Sequence, residues 1–213
     1  MKRQFAFPVL LLSAVFARGG DVFLLEGGEQ AYGSAKAGVM GGGFKIKNAP
    51  DYYLSPILTG SLAAGRYAND FIRLEVELFG AVSGTGAQNF TTTFWGPSLS
   101  LHAFAPVSHQ FRFYAGGGVG FFNCELEKKR HAVNDGPSGL MADAGYDDDG
   151  RLKATESFAF WTASAGLECD LSGKGVLLDL SARYYLTNRT TLGDTSSVRM
   201  EMYGIFAGIT VYF

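Results

Sequence analysis

Residues 201–213 read Glu-Met-Tyr-Gly-Ile-Phe-Ala-Gly-Ile-Thr-Val-Tyr-Phe. In an extended strand successive side chains point to opposite faces. Tyr203, Ile205, Ala207, Ile209, Val211 and Phe213 therefore share one face, which is wholly apolar. Gly204, Phe206, Gly208, Thr210 and Tyr212 share the other. A strand with one apolar face and a free edge is an aggregation hazard in water. It is stable if it pairs with the first strand of the chain, closing a barrel whose outer face lies against lipid.

The same period recurs upstream. Between Phe71 and Gly80, Ile72, Leu74, Val76 and Leu78 alternate with Arg73, Glu75, Glu77 and Phe79, so an aliphatic face backs a charged one. In Phe111–Cys124, Phe111, Phe113, Ala115, Val119 and Phe121 oppose Arg112, Tyr114, Gly116, Gly118 and Gly120. Ser157–Asp170 places Trp161 and Leu167 against Phe160 and Glu168, and Val176–Leu186 places Leu178, Leu180 and Tyr184 against Asp179, Arg183 and Tyr185. Weaker alternation marks Tyr32–Phe44, with Lys36 and Met40 opposite Ala35 and Val39, and also Pro56–Tyr67 and Thr91–Ala105. Pro97 suggests a bulge or a loop-proximal position.

Tight turns are predicted at Ala68-Asn69-Asp70, Pro106–Gln110 and Leu171–Gly175, where turn-forming residues cluster. Longer connections are predicted at Lys45–Ser55, Ala81–Asn89, Glu125–Thr155 and Thr187–Met200. Short and long connections alternate, and both termini fall on the short-turn side. The sequence thus predicts an all-β fold, an eight-stranded antiparallel up-and-down transmembrane barrel with periplasmic termini, residues 18–213, and a long outer loop at 123–156.

Composition agrees with this class. The chain has 213 residues, 18% charged and 14% aromatic, with 29 Gly and 6 Pro. A formal charge of −2 gives no basic footprint for nucleic acid. Residues 1–17 read as a signal peptide: Lys2 and Arg3, then an apolar run to Phe16, with cleavage predicted after Ala17. The run is too short to span a bilayer as a helix. Losing Lys2 and Arg3 takes the formal charge from −2 to −4. The two cysteines, Cys124 and Cys169, fall at opposite ends of adjacent predicted strands, more than about 20 Å apart, so no intrachain disulfide is expected.

Two stretches carry a family resemblance. Phe-Arg-Phe-Tyr-Ala-Gly-Gly-Gly-Val-Gly-Phe-Phe at 111–122 resembles the Tyr-Val-Gly-Ala-Gly-Val-Gly-Tyr strand of opacity-type, OmpA-like outer-membrane barrels. Ala-Gly-Leu-Glu-Cys-Asp-Leu-Ser at 165–172 and Leu-Asp-Leu-Ser-Ala-Arg-Tyr-Tyr at 178–185 resemble that family's closing hairpin. Gly60–Gly80 and the final strand are similar in the same register. The resemblance implies a non-enzymatic barrel of the bacterial outer membrane, whose members are surface antigens, adhesins, envelope-stabilising barrels or narrow pores. It also implies Phe213 as an assembly signal, outer-membrane lipids and the barrel assembly machinery as partners, host surface ligands at the loops, and a monomer.

The candidate chemistry lies on the faces opposite lipid and in the loops. Arg73, Glu75, Glu77, Arg112, Glu168, Asp179 and Arg183 are expected to face the lumen, either as mutually paired charges plugging it or as a gated polar pore. Lys128, Lys129 and Arg130, with the later Asp147, Asp148 and Asp149, are candidate loop contacts. Asp147, Asp149, Gly150 and Glu156 match four positions of a calcium loop, but Gly145 stands where an Asp is required, so a solvated loop and no cofactor are expected. The His-x-Ser pair of outer-membrane lipid A deacylases is missing: His102 precedes Ala103-Phe104 and His109 precedes Gln110-Phe111. Alternatives to a surface antigen are an OmpW-like channel for small solutes and a soluble lipocalin-like binder. The latter needs the aliphatic faces turned inward.

Overall fold

The computed structural model describes residues 31–47, 51–69, 71–83, 90–107, 110–128, 145–146, 152–171, 176–192 and 196–212. The strands are β1 Ala31–Ile46, β2 Tyr52–Asn69, β3 Ile72–Ser83, β4 Phe90–Pro106, β5 Phe111–Lys128, β6 Gly145–Tyr146, β7 Leu152–Asp170, β8 Val176–Thr187, β9 Thr190–Leu192 and β10 Ser196–Tyr212. Each long strand pairs antiparallel with its neighbour in the order β1-β2-β3-β4-β5-β7-β8-β10, and β10 returns to β1. The result is a closed eight-stranded barrel. The short β6 and β9 pair with β7 and β10. Closure runs from Tyr32↔Tyr212 to Ile46↔Val198, so the stretch quoted first has no free edge.

The alternation read from the sequence sets the two faces of every long strand. Val39, Leu58, Leu74, Leu101, Val119, Leu180 and Ile205 are all exposed on the outside. On β10 the apolar outer row runs from Tyr203 to Val211. That is about 27 Å of strand and, at a tilt of about 40°, roughly 20 Å of depth, which suits a bilayer core. Exposed aromatics border this belt: Trp95, Phe121, Trp161, Tyr184 and Tyr203 above, and Phe71, Phe111 and Phe113 at the end where the turns lie. Such rings favour the level where lipid meets water. A row of exposed Leu, Ile and Val turned to water is destabilising, so the belt belongs in lipid.

Hydrogen bonds join the described residues that flank the three short connections. The Phe71 amide donates to Asn69 Oδ1 at 2.9 Å, the Val107 amide to the Phe111 carbonyl at 2.9 Å, and the Leu171 amide to the Val176 carbonyl at 3.1 Å. The three turns lie at the end that holds Ala31 and Tyr212, called the near end below. The opposite end is the far end.

Several boundaries differ from the sequence reading. β5 continues to Lys128 and β7 begins at Leu152, so the strands take in both margins of the stretch expected as a 123–156 loop. Alternation persists there, with buried Cys124 and Leu126 inside and half-buried Glu125 and Glu127 outside, but charge masks it in a hydropathy reading. The 187–200 segment likewise contains β9 and the start of β10. Pro97 marks no bulge: it pairs with Leu78, and the β4–β5 register is unchanged across it. Register shifts fall instead at Met40/Gly42 in β1 and Tyr67/Asn69 in β2. Gly42 has φ 146°, in the region that favours glycine. Cys124 and Cys169 are free, and the register puts Cys169 beside Phe111, thirteen residues down β5 from Cys124.

Candidate functional site

The lumen is filled in three layers. Reading inward-facing residues from near to far end, β1 gives Tyr32, Ser34, Lys36, Gly38 and Met40; β4 gives Phe104, His102, Ser100, Ser98 and Phe94; β8 gives Asp179, Ser181, Arg183 and Tyr185. Bulky rings close both ends of a polar middle.

The near-end floor is Tyr32, Tyr67, Phe104 and Tyr114, packed with Tyr212. Their ring centroids lie 5.4–6.0 Å apart and tilted. The Tyr67 and Tyr212 hydroxyls are hydrogen-bonded at 2.9 Å. Arg112 donates to the Tyr212 hydroxyl and, from Nε, to Glu168 at 2.7 Å.

The charged middle layer draws on strands from all round the barrel. Arg73 is fully buried. It pairs with Glu168 on β7 and lies 3.5 Å from Glu75 on its own strand. Its guanidinium carbon sits 4.8 Å from the Phe104 ring centre, 4.9 Å from that of Tyr32 and 5.2 Å from that of Tyr114. Arg183 donates to both oxygens of Glu77 at 2.6 Å and stacks 4.6 Å from the Phe206 ring centre. Lys36 meets Asp179 at 3.0 Å. Tyr32 donates to Glu75 at 2.7 Å and Tyr114 to Asp179 at 3.0 Å. Each carboxylate thus has a cation or a phenol, as buried charge requires.

All seven residues expected to line the lumen face it, and the contacts above bring them together with each other or with Lys36. Sequence reasoning missed Lys36, although the alternation placed it on the inward face. It also missed the tyrosines, whose hydroxyls finish the network.

The far-end layer was not anticipated. Phe44, Phe79, Phe94, Phe122, Phe158, Phe160, Tyr185, Met40, Met200, Met202 and Phe206 form one buried apolar cluster, with Ile57 and Val198. Phe79, Phe94, Phe122, Phe160 and Tyr185 interlock with ring centroids 5.4–6.2 Å apart. Outside this layer the wall turns polar: Lys45, Arg199 and Glu201 on β1 and β10, Glu125 and Glu127 on β5. Above the upper aromatic ring the barrel has the polar outside and apolar inside of a water-soluble protein. Below it the order is reversed.

Inward glycines seat the large side chains. A Cβ on Gly166 would lie 2.5 Å from the Tyr114 ring, and one on Gly120 would lie 2.5 Å from the Phe160 ring. The glycine stripe of β5 lets neighbouring side chains lie against the backbone.

Among the described residues, His102 is buried in the lumen and joins none of these ion pairs. Its Nε2 lies 3.1 Å from Ser164 Oγ, while Nδ1 has no partner among the described residues. A histidine that activates a serine is oriented by a third group on its other nitrogen. Among the described residues none supplies such a group to Nδ1. Lys128 closes β5 opposite Phe90 and Leu152. Ala17, Lys129, Arg130, Asp147, Asp148, Asp149 and Phe213 lie outside the described residues.

No family model matches the chain, and no curated protein matches it. Solved structures do. Neisserial surface protein A aligns over 88% of this chain and 100% of its own at 13% identity, with a TM-score of 0.60. The attachment invasion locus protein of Yersinia pestis, Ail, aligns over 85% of this chain and 99% of its own at 12% identity and a TM-score of 0.47. The outer membrane protein AlkL aligns over 91% and 96% at 14% identity, also with a TM-score of 0.47. Only the first is close enough to carry an argument, and at that identity the argument concerns fold. With its closed topology and lipid-facing belt, the chain has the fold of the small eight-stranded outer-membrane β-barrels and is built to sit in an outer membrane.

Proposed function

We propose that the protein is a non-enzymatic, non-conducting barrel that anchors and displays its far-end connections at the cell surface, as a structural or adhesin-like antigen. The observation that carries this reading is the filled lumen. Charges neutralise one another in the middle layer, and interlocked rings close both ends. An eight-stranded barrel is only wide enough for its own side chains. With the interior occupied, the far-end rim is the surface left for recognition, and the near end faces the periplasm.

Residues 129–151, with their basic and acidic clusters, are the segment we assign to partner contact. Deleting 134–151 from the mature chain tests this. A barrel that still resists SDS without boiling, yet no longer attaches to host cells or matrix, is the expected result. Undiminished attachment by the deleted form would remove the loop from the proposal. The fold of the Neisserial surface protein fits this reading without specifying a ligand.

A further inference from the structure

The near-end floor brings together three tyrosines from the seam of the barrel. Tyr32 on β1, Tyr67 on β2 and Tyr212 on β10 form a triangle. The ring centres of Tyr32 and Tyr67 lie 6.0 Å apart, those of Tyr32 and Tyr212 5.9 Å, and those of Tyr67 and Tyr212 5.8 Å. β1 runs between the other two strands, so Tyr67 and Tyr212 meet over it from either side of the closure. Their hydroxyls are 2.9 Å apart, closer than their ring centres. The two phenol edges therefore converge, and the ring carbons beside each hydroxyl turn towards the facing ring. Tyr32 differs, because its hydroxyl donates to Glu75 at 2.7 Å.

A phenol gives up an electron more readily than a benzene ring does, because the radical spreads over the oxygen and the ring carbons beside it. The electron leaves together with the hydroxyl proton, so a proton acceptor within hydrogen-bond reach lowers the barrier. The Tyr67–Tyr212 hydrogen bond supplies such an acceptor inside the pair itself. Two cations hold the pair in place: Arg73 lies 3.4 Å from the Tyr67 hydroxyl, and Arg112 donates to that of Tyr212. Tyr67 is buried, whereas Tyr212 is half-buried at the near-end face, so an oxidant arriving from that side meets Tyr212 first. The pair is thus reachable at one ring, fixed at both hydroxyls and aligned edge to edge.

We propose that Tyr67 and Tyr212 are a site of oxidative cross-linking, joined by a carbon–carbon bond when the barrel meets a one-electron oxidant of the peroxyl-radical class. Each phenol gives up one electron and its hydroxyl proton, and each reduces one peroxyl radical to a hydroperoxide. The two phenoxyl radicals couple through ring carbons beside their oxygens. The hydrogen on each coupled carbon then moves to the oxygen of the same ring, which restores two phenols. In sum, two hydrogen atoms leave the protein and two peroxyl radicals are reduced. The new bond ties β2 to β10 across β1 and closes a covalent loop from residue 67 to residue 212. Tyr32, held by Glu75, stays outside the bond.

The test exposes the full mature chain, refolded and dilute in detergent micelles, to peroxyl radicals released by a thermally decomposing azo initiator. Peptide mapping by mass spectrometry should find one dominant cross-linked product, the Tyr67 and Tyr212 peptides joined with the loss of two hydrogens, accompanied by dityrosine fluorescence. After boiling, the oxidised chain should run faster in SDS than the untreated chain, because a closed loop constrains the unfolded coil. Tyr67→Phe and Tyr212→Phe keep the rings, and each should abolish this product. Tyr53→Phe and Tyr203→Phe, at rings exposed on the outer wall, should leave its yield unchanged. If a floor variant fails to fold, as judged by heat-modifiable mobility, the map of the parent chain decides. The proposal is overturned if no cross-link forms, if the product joins the exposed tyrosines instead, or if chain unfolded in urea gives the Tyr67–Tyr212 product in equal yield.

Discussion

Arg183 on β8 reaches across the lumen to Glu77 on β3, donating to both carboxylate oxygens at 2.6 Å. In the ring of eight strands β3 and β8 are four places apart, so this contact spans the barrel. Both side chains are buried. Replacing one partner strands the other charge, which costs about 3–5 kcal/mol, whereas replacing both with apolar residues of similar size is close to neutral. Glu77→Leu should therefore lower the urea unfolding midpoint of the refolded protein sharply. Glu77→Leu combined with Arg183→Met should recover most of the loss.

Tyr114 is fixed by its hydroxyl to Asp179, so its ring cannot swing away from Gly166. Gly166→Ala should cost about 1–3 kcal/mol by overpacking. Gly80→Ala is the control. A Cβ there meets nothing closer than 3.8 Å, and that variant should be neutral or slightly stabilising in the same unfolding assay.

Phe122 touches Phe79, Phe94, Phe158 and Phe160 at the centre of the far-end core. Truncation to Ala should cost about 3–5 kcal/mol if the rings pack as one body. Amide exchange should then accelerate first in the far-end halves of β4, β5 and β7, while the near-end ion pairs stay protected.

The lipid face makes a depth-dependent prediction. Leu180, at mid-belt beside Ala207, is half exposed. Leu180→Arg should destabilise the barrel in bilayers by about 2–4 kcal/mol, while Tyr203→Arg, in the aromatic ring, should cost about 0–1 kcal/mol. Equal costs at the two positions would contradict the assignment of the belt.

Period-two alternation made the barrel legible, because one face of each strand must match lipid while the other cannot. The inward side of β3, Arg73, Glu75 and Glu77, was readable for the same reason. Their partners were not. Lys36 meets Asp179 and Arg73 meets Glu168 only because closure brings distant strands together. The far-end core escaped notice since Phe79, Phe94, Phe122 and Phe160 sit on the face expected to be polar, and each strand supplies only one or two of them. Strand ends were hidden where Glu125 and Glu127 face water above the belt, because no apolar period marks them.

The claim on which the functional reading rests is that the lumen is closed. Purified, refolded protein reconstituted into planar bilayers at about 0.1–1 M salt tests it most directly. Insertion verified by heat-modifiable mobility, with a current trace indistinguishable from protein-free membrane, is the predicted result. Discrete conductance steps that scale with salt and change on Arg183→Ala or Glu77→Ala would show that ions pass through the charged layer. The protein would then have to be reassigned as a pore.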